Sequence, residues 1–295
     1  MNNIPIVFTF DKRIILGAAA AIKSLINSAE TAVYDIHILH SDIELNYQKH
    51  LTSLAEKTLH NISFHYIDPK IFNNVKKNKG SWSEIVYYRL IIPEVLRNYD
   101  KVIYSDVDVF FKKDLSDIFN RNIENHELMA VRAEKNTKNT IGHKYFKENK
   151  KDYIFWSGFL ILNCKKLRQD NYFEKFIKNA HIYKEELKFF DLDLINITCP
   201  DIAPIPFEYC VLESIYELDD YKKAPEYEFL KDVYTKQEIE QAKKDPVIIH
   251  YAGFLGKPWR RKKVPSYYQK TINSLPKVLQ KYTFRDIRKK LFARY

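Results

Sequence analysis

The sequence predicts an α/β fold built on a mostly parallel, doubly wound sheet. Short runs of β-branched and aromatic residues alternate with helix-like segments through the first hundred residues, which is the order that βαβ units require. The chain has 295 residues, of which 45% are hydrophobic and 29% are charged, so it can bury a sizeable core. No apolar run approaches the length of about 20 residues that spans a bilayer, which argues against a transmembrane protein.

Each element follows from its local pattern. The β-branched and aromatic run at 4–10 predicts a buried first strand, and the Ala-rich segment 14–28 predicts the first helix. Further strands are predicted at 34–39, 62–66, 101–104, 159–163 and 247–250. Further helices are predicted at 43–59, 83–96 and 165–183. The polar stretch 134–152 predicts an exposed loop or lid.

The three cysteines, Cys164, Cys199 and Cys210, show no CxxC spacing. This usage argues against a disulfide framework or a structural zinc site and fits a reducing compartment. The apolar stretch 14–22 resembles a short secretory signal, but Lys23 follows it and no small-x-small cleavage site is present. We therefore expect a cytoplasmic protein.

Positive charge is concentrated at the carboxyl end. The net charge is +10, and residues 257–295 carry 13 Lys and Arg against a single acid, Asp286. This asymmetry predicts one domain over residues 1–256 and a basic helical extension over residues 257–295. Such a segment attracts anionic surfaces. Nucleic acid is the less favoured partner, because no recognisable nucleic-acid-binding module accompanies the segment.

The end of this extension has an apolar stripe with helical spacing. Phe284, Ile287, Leu291 and Tyr295 recur at three- and four-residue steps beside a basic face. A helix of this kind suits the interface of an anionic membrane. The alternative is that the stripe packs on the domain and the charges are only solvated, and the sequence supports the two about equally.

Two aspartates follow the predicted strand 101–104. Residues two apart in extended backbone point to the same side, so Asp106 and Asp108 can converge on one cation. Open α/β sheets bind ligands at the carboxyl ends of strands, and carboxylate oxygens suit Mg²⁺ or Mn²⁺ bound together with a diphosphate. The alternative is that side chains simply alternate along the strand, with Val107 and Val109 facing inward and both aspartates in water.

A second acid pair with the same spacing, Asp191 and Asp193, leads into an apolar stretch. Acids at this place favour a helix N-terminus. The pair can instead face Asp106 and Asp108 across a cleft. Capping is the stronger of the two interpretations when the pair is taken alone.

A third group lies at 250–257. His250 ends an apolar strand, and Gly253 and Lys257 follow it closely. Neutral imidazole is a ligand for a dication, a glycine turn lets backbone N–H groups approach phosphate, and lysine adds a point charge. Two aspartates and one histidine would thus hold a dication that, with Lys257, neutralises a diphosphate leaving group.

These motifs resemble those of the family 8 retaining glycosyltransferases, a group that includes bacterial lipopolysaccharide galactosyl- and glucosyltransferases and glycogenin. The resemblance runs from residue 4 to about residue 259. It is carried, in this order, by IVFTFD, YYRL, YSDVDVFFKKDL, SGFLILN, FDLDLIN and HYAGFLGKPW.

The resemblance implies a GT-A type, Rossmann-like fold that binds a UDP-sugar with Mn²⁺ (or Mg²⁺). The implied reaction transfers a hexose, galactose or glucose, to an acceptor hydroxyl with retention at the anomeric carbon. The implied metal ligands are Asp106, Asp108 and His250. The residues implied to bind cofactor and donor are Thr9, Phe10, Asp11, Arg89, Asp106, Val107, Asp108, His250, Gly253 and Lys257. The implied catalytic residues are Arg89, Asp191 and Asp193.

The chain departs from the family pattern at three places. Asp11 is followed by Lys12 and Arg13 where the family often has Asp-Asp-Asn, and Trp156 stands where an Asn is common. Leu192 occupies a position where some members carry a Gln proposed as nucleophile. A leucine cannot attack a carbon, so we expect front-face substitution, with Asp191 as the remaining carboxylate that could act as a nucleophile.

The expected acceptor is a glycan, and a lipid-linked one such as lipooligosaccharide would lie at the cytoplasmic face of the inner membrane. Segments 134–152 and 207–244 are expected to shape its site. One alternative is a haloacid-dehalogenase-type phosphohydrolase, which also uses D-x-D after a strand but continues with Thr where this chain has Val109 and Phe110. The other is a non-catalytic, membrane-peripheral protein that binds sugar nucleotides.

Overall fold

The computed structural model describes residues 2–73, 75, 84–137 and 151–293. Its strands are β1 (Asn2–Thr9), β2 (Ala32–His40), β3 (Asn61–Tyr66), β4 (Lys101–Ser105), β5 (Val109–Phe111), β6 (Leu128–Lys135), β7 (Tyr153–Asn163), β8 (Ile202–Ile205), β9 (Val211–Leu212) and β10 (Ile248–His250). Its α-helices are α1 (Ile15–Ser28), α2 (Leu45–Thr52), α3 (Ile92–Val95), α4 (Ser116–Phe119), α5 (Cys164–Gln169), α6 (Tyr172–Ile182), α7 (Asp191–Thr198), α8 (Glu213–Glu217), α9 (Tyr227–Leu230), α10 (Lys236–Lys244), α11 (Ser266–Ser274) and α12 (Phe284–Leu291). Short 3₁₀ helices lie at Lys12–Ile14, Ser53–Ala55, Pro69–Phe72, Glu84–Ile91, Phe207–Cys210, Tyr221–Lys223, Pro258–Arg260 and Lys277–Gln280.

Seven strands form the main sheet, in the order β3-β2-β1-β4-β7-β6-β8. β1 pairs in parallel with β2 and β4, and β2 pairs in parallel with β3. β7 runs antiparallel to both of its neighbours, and β6 and β8 are parallel. The predicted mostly parallel α/β sheet is thus confirmed. Its strand order reverses between β1 and β4, so the carboxyl ends of these two strands flank a crevice.

A second sheet of three strands, in the order β5-β10-β9, lies beside this crevice. β10 runs antiparallel to β5 and parallel to β9, and His250 is paired with Val109 on one side and with Leu212 on the other. This pairing brings the carboxyl end of β10 next to the segment that links β4 to β5.

Apolar layers cover both faces of the main sheet. Alternation along β1 sends Phe8 to the layer that contains α1 and Val7 to the layer that contains α7. The Ala-rich helix α1 is buried almost all round, and its residues 18–22 have no exposed surface. Small side chains on this helix allow it to lie close to the sheet and to the segments that cover it.

The main difference from the predicted strands concerns β6 and β7. We predicted a strand only over 159–163, but β7 begins at residue 153. β6 occupies 128–133, which the sequence pattern left unassigned, and 134–135, which were wrongly predicted as the start of the exposed loop. The two strands form an antiparallel pair with a register irregularity near Arg132. Most of the predicted lid at 134–152, from 138 to 150, lies outside the described residues.

The predicted helices are interrupted where the backbone changes conformation. The segment predicted over 83–96 is a 3₁₀ helix that gives way to α3, which restarts with Pro93 in its first turn, where proline's missing N–H does no harm. The helix predicted over 165–183 is divided into α5 and α6 by Asn171, which has a φ of 54°. The helix predicted over 43–59 ends as α2 at Thr52, followed by a 3₁₀ turn.

The first part of the basic segment 257–295 packs on α1. Trp259, Tyr268 and Leu279 have no exposed surface. A Cβ atom added to Gly17 in α1 would lie 2.5 Å from the ring of Trp259, so only glycine permits this contact.

The last helix, α12, is attached to the domain by one side only. Its capping box is formed by Thr283 and Asp286, and the buried carboxylate of Asp286 also accepts a hydrogen bond from Trp259 Nε1 (3.2 Å). Phe284 and Leu291 are 83% and 70% exposed, so the apolar stripe faces away from the domain. The alternative in which this stripe packs on the domain does not hold for these residues, and Tyr295 lies outside the described residues. None of the helices described is both long and apolar enough to cross a membrane.

Candidate active site

The three predicted metal ligands meet at the crevice. Asp106 follows β4, and its backbone N–H donates to the carbonyl oxygen of Gly158 (2.8 Å). Asp106, Asp108 and His250 each offer one ligand atom within 4.8 Å of the other two. His250 Nε2 lies 3.4 Å from a carboxylate oxygen of Asp108 and 3.7 Å from one of Asp106.

The donor set fits a divalent cation. His250 Nε2 is buried, makes no hydrogen bond within the described structure, and faces the two carboxylates. Buried polar atoms in native proteins normally have a partner. Two carboxylates and a neutral imidazole nitrogen suit Mn²⁺, and the carboxylates also suit Mg²⁺.

Arg89 links the first acid pair to the second. Its buried guanidinium lies 2.9 Å from a carboxylate oxygen of Asp106 and 3.0 Å from one of Asp191. It also donates to the carbonyl oxygen of Ser157 (2.6 Å) and lies over the ring of Tyr104. Burial opposes the charge of Arg89, but the two carboxylates outweigh it and raise the pKa of the guanidinium above its usual value.

The two residues of the second acid pair, Asp191 and Asp193, make different contacts. Both residues lie in the first turn of α7, as the capping interpretation predicts, and both are buried. Asp191 faces Arg89, and burial raises the pKa of its carboxyl to about 6 although Arg89 and Ser157 lower it. Asp193 accepts the backbone N–H groups of Lys188 (2.6 Å) and Phe189 (2.8 Å), which holds the turn that presents Asp191. A catalytic role for Asp193 stays a prediction.

Thr9 joins the site through a tyrosine. The hydroxyls of Thr9 and Tyr104 lie 3.2 Å apart, and the Tyr104 hydroxyl donates to Asp106 (2.6 Å). The end of β1 is therefore connected to a predicted metal ligand.

Phe10, Asp11 and Val107 lie at the same edge of the sheet. Phe10 and Val107 are buried in the apolar layer around α1. The carboxylate of Asp11 accepts the backbone N–H of Arg13 (2.9 Å) and pairs with its guanidinium (2.5 Å), so it caps the 3₁₀ turn that follows. Their contacts with a nucleotide stay predictions.

The segment 251–257 brings Lys257 to the acid pair. Its ammonium donates to the carboxylate of Asp108 and to the carbonyl oxygen of Tyr251 (2.7 Å). Burial would raise the pKa of Asp108, but Lys257 and His250 outweigh it and hold the pKa far below its usual range.

Gly253 lies in a turn that is held by a buried carboxylate. Its backbone N–H donates to the carboxylate of Glu213 (2.8 Å), which also accepts the N–H of Gly256 (3.0 Å). Glu213 has no exposed surface, and burial raises the pKa of its carboxyl to about 6. A contact of Gly253 with a diphosphate stays a prediction.

Sequence reasoning missed several residues that shape the site. Cys210 Sγ lies 3.3 Å from His250 Nδ1, and Glu213 holds the glycine turn. A Cβ atom on Gly158 would lie 2.5 Å from His250 Cε1 and 3.0 Å from Asp106 Oδ2, so this glycine allows the histidine and the aspartate to approach β7. Gly158 belongs to the SGFLILN motif, so the sequence could have indicated it as a site residue. Cys210 and Glu213 belong to none of the motifs that were recognised in the sequence.

Comparison with known proteins places this geometry in a family. The model of glycosyl transferase family 8 matches residues 5–263. A glycosyltransferase of Haemophilus influenzae described as putative is 27% identical over 203 residues, which are 66% of this chain and 58% of that protein. The lipopolysaccharide 1,2-glucosyltransferase of Escherichia coli is 24% identical over 255 residues, which are 84% of this chain and 71% of that protein.

A solved structure shows the same fold. The galactosyltransferase LgtC, solved in complex with donor and acceptor sugar analogs, superposes with a TM-score of 0.76 at 20% identity, covering 97% of this chain and 100% of that one. The predicted GT-A type fold is confirmed by this likeness. With the family model matching nearly the whole described core, the chain belongs to glycosyl transferase family 8.

Proposed function

We propose that the protein is a metal-dependent, retaining hexosyltransferase that uses a UDP-sugar and acts on a glycan of the lipopolysaccharide type. The observation that carries the proposal is the cluster of Asp106, Asp108 and His250, connected through Arg89 to Asp191. The glucosyl- and galactosyltransferases among the relatives support a hexose donor, and the E. coli relative supports a lipopolysaccharide acceptor.

In this proposal Asp106, Asp108 and His250 hold a Mn²⁺ or Mg²⁺ ion. Such an ion supplies positive charge that stabilises the diphosphate of the departing UDP. Lys257, next to Asp108, contributes a further positive charge to the same diphosphate. Thr9, Phe10, Asp11 and Val107 lie at the edge of the sheet where the nucleotide is expected.

The residues around the donor sugar favour substitution on one face. Arg89 fixes Asp191 beside Asp106, and Asp191, with a pKa of about 6, is largely ionised at neutral pH. Asp191 therefore stabilises positive charge that develops at the anomeric carbon. Leu192 supplies no nucleophile, which leaves the acceptor hydroxyl to attack directly. A stable glycosyl adduct on Asp191, detected by mass spectrometry during turnover, would replace front-face substitution with a covalent mechanism.

The test of the proposed function is hydrolysis of UDP-sugars. Donors carrying glucose, galactose and their N-acetyl forms are each incubated with the protein in the presence of Mn²⁺, and release of UDP is measured. We expect one UDP-hexose to be preferred and its hydrolysis to be lost on chelation and in Asp108→Asn. The exposed Asp117→Asn is the matched control and should hydrolyse the donor like the wild type. Metal-independent hydrolysis, or full activity in Asp108→Asn, would contradict the proposal.

The proposal extends to a peripheral position at the cytoplasmic face of the inner membrane. Phe284, Ile287 and Leu291 are exposed on α12, beside its basic residues, and such a helix suits an anionic lipid surface. All three cysteines are free and buried, which is consistent with a reducing compartment. A lipid-linked acceptor would lie at the same surface.

Vesicle binding tests this part. Phe284→Ser combined with Leu291→Ser should abolish sedimentation with phosphatidylglycerol vesicles and leave UDP-sugar hydrolysis unchanged. Leu59→Ser, which removes an apolar side chain that is 68% exposed elsewhere, is the control and should bind vesicles normally. If the wild type, the double variant and the Leu59→Ser control bind vesicles equally, the proposed membrane attachment through α12 is wrong.

A further inference from the structure

The short strand β9 lies beside His250 and beside the turn that carries Lys257, the two parts of segment 250–257 that are predicted to bind the cation and the diphosphate. β9 pairs in parallel with β10, so that Val211 lies beside Ile249 and Leu212 beside His250. The residue before this strand is Cys210, and the residue after it is Glu213. The register therefore places Cys210 level with Ile248, at the start of β10, and Glu213 level with Tyr251, where the turn begins. Residues two apart in a strand share a face, so the side chain of Cys210 lies on the same side as that of His250.

Cys210 fixes the orientation of the histidine ring. Its buried Sγ lies 3.3 Å from Nδ1 of His250, on the side of the ring opposite to Nε2 and the two aspartates. A histidine that binds a cation through Nε2 carries its remaining proton on Nδ1, and a partner for that proton sets the tautomer and the plane of the ring. Sγ of Cys210 is in position to accept this proton in a hydrogen bond.

Glu213 fixes the turn that carries Lys257. Its carboxylate accepts two backbone N–H groups, from Gly253 (2.8 Å) and Gly256 (3.0 Å). Arg261 holds the same turn by donating to the carbonyl oxygen of Gly256 (2.6 Å). A Cβ atom on Gly253 would lie 2.9 Å from Glu213, so a glycine is needed for the carboxylate to come this close.

We propose that Cys210 and Glu213 are positioning residues with separate tasks: Cys210 orients His250 for the cation, and Glu213 places Lys257 for the diphosphate. Neither side chain touches cation or substrate. The inference rests on the proposed function, because it assigns a cation to His250 and a diphosphate to Lys257. Its distinctive consequence is that two residues three apart in the chain control two different binding constants.

The test measures the two constants separately on the full-length protein. The affinity for Mn²⁺ is measured by electron paramagnetic resonance without nucleotide, and the affinity for UDP is measured by calorimetry at saturating Mn²⁺. Cys210→Ala should weaken Mn²⁺ binding by about 10- to 100-fold, the usual effect of removing the partner of a metal-binding histidine. Cys210→Ser, which keeps an acceptor, should recover most of that loss. Neither change should alter the affinity for UDP once Mn²⁺ is saturating.

Glu213→Gln should have the opposite pattern. Its amide group presents a donor to one of the two N–H groups, so we expect UDP affinity to fall by about tenfold while Mn²⁺ affinity stays close to that of the wild type. Matched controls are Cys164→Ala and Glu127→Gln, which change a buried cysteine and a buried glutamate away from the site. Both controls should keep the two wild-type constants.

The outcomes separate the inference from the proposed function. If the wild type binds no Mn²⁺, the proposed function fails and the inference falls with it. If the wild type binds Mn²⁺ but Cys210→Ala binds it equally well, or Glu213→Gln binds UDP equally well, only the inference is overturned. Thermal unfolding shows whether each variant folds. Cys210→Val, which fills the space without an acceptor, and Glu213→Asp, which shortens the carboxylate, replace a variant that does not fold.

Discussion

The two sides of the candidate site are built in different ways. On the Arg89 side, defined by Arg89, Asp106 and Asp191, one buried guanidinium is balanced by two carboxylates. On the His250 side, defined by His250, Cys210, Glu213 and the turn up to Lys257, a thiol and a carboxylate hold an imidazole and uncharged backbone N–H groups. Removing Arg89 leaves the buried carboxylate of Asp191 without its cation. Removing the carboxylate of Glu213 leaves two backbone N–H groups unpaired, while Arg261, 3.9 Å from Glu213, keeps its closer partner Glu217 (2.6 Å). The first loss costs more free energy than the second.

The largest effect is expected for Arg89→Ala. The variant leaves the buried carboxylate of Asp191 without its cation, so the free energy of unfolding should fall by about 3–5 kcal/mol in urea denaturation. The control is Arg97→Ala, which breaks an exposed pair with Glu94 and should cost less than about 1 kcal/mol. Similar losses of unfolding free energy in Arg89→Ala and Arg97→Ala would contradict the large cost expected for an unpaired buried charge on the Arg89 side.

A smaller effect is expected where the two sides meet, in Gly158→Ala. The new methyl group would press on the His250 ring and on Asp106, and overpacking of this kind should cost about 3 kcal/mol. Gly256→Ala is the comparison, because its Cβ would enter open space and only a φ of 73° opposes it, at about 1–2 kcal/mol. Chemical denaturation measures both, and a smaller loss for Gly158→Ala than for Gly256→Ala would contradict the tight contact.

The pH dependence of stability isolates the buried carboxylate of the His250 side. The pKa of Glu213 is raised from 4.5 to about 6, so its contribution is fully favourable below pH 4.5 and is lost as the pH rises through 6. Relative to Glu213→Gln, the wild type should lose about 2 kcal/mol of unfolding free energy between pH 4.5 and 7. Unfolding curves at several pH values give this difference. A difference that does not vary with pH would show that the carboxyl of Glu213 has an ordinary pKa.

The smallest effect is expected for Tyr104→Phe on the Arg89 side. The variant removes a hydrogen bond to Asp106 and a contact with Thr9 but leaves the Arg89 pairs in place, so it should cost about 1 kcal/mol. Tyr66→Phe, at a ring that is 66% exposed, should be neutral in the same denaturation assay. A loss as large as that of Arg89→Ala would mean that Tyr104, not the guanidinium, holds the carboxylates.

Several strands were predictable because a buried strand produces a short apolar run that can be recognised from a few neighbouring residues. β1, β4 and β10 are short apolar runs, and each was predicted within two residues of its position. The break at Asn171 and the 3₁₀ helix before Pro93 were not predicted, because hydrophobic spacing describes a face but not a backbone angle. β6 was missed because Arg132, Glu134 and Lys135 interrupt its apolar run with charged residues, although only Lys135 is exposed.

The same limit applies to the candidate site. Asp106, Asp108 and His250 were predicted as a group because their chemistry is specific and each follows an apolar strand. Cys210 and Glu213 were not, because each meets its partner 40 residues away in sequence, through the pairing of β9 with β10. The residues that neighbour Cys210 and Glu213 in the sequence do not indicate that β9 pairs with β10.

The contact between Gly17 and Trp259 has a consequence for how the chain is made. Trp259 follows Gly17 by 242 residues in the sequence, so the first helix leaves the ribosome well before the indole that covers it. Until then, the helix presents bare alanine surface to chaperones and to other nascent chains. A premature stop ahead of Trp259 should therefore yield a product that aggregates rather than a shortened, working enzyme.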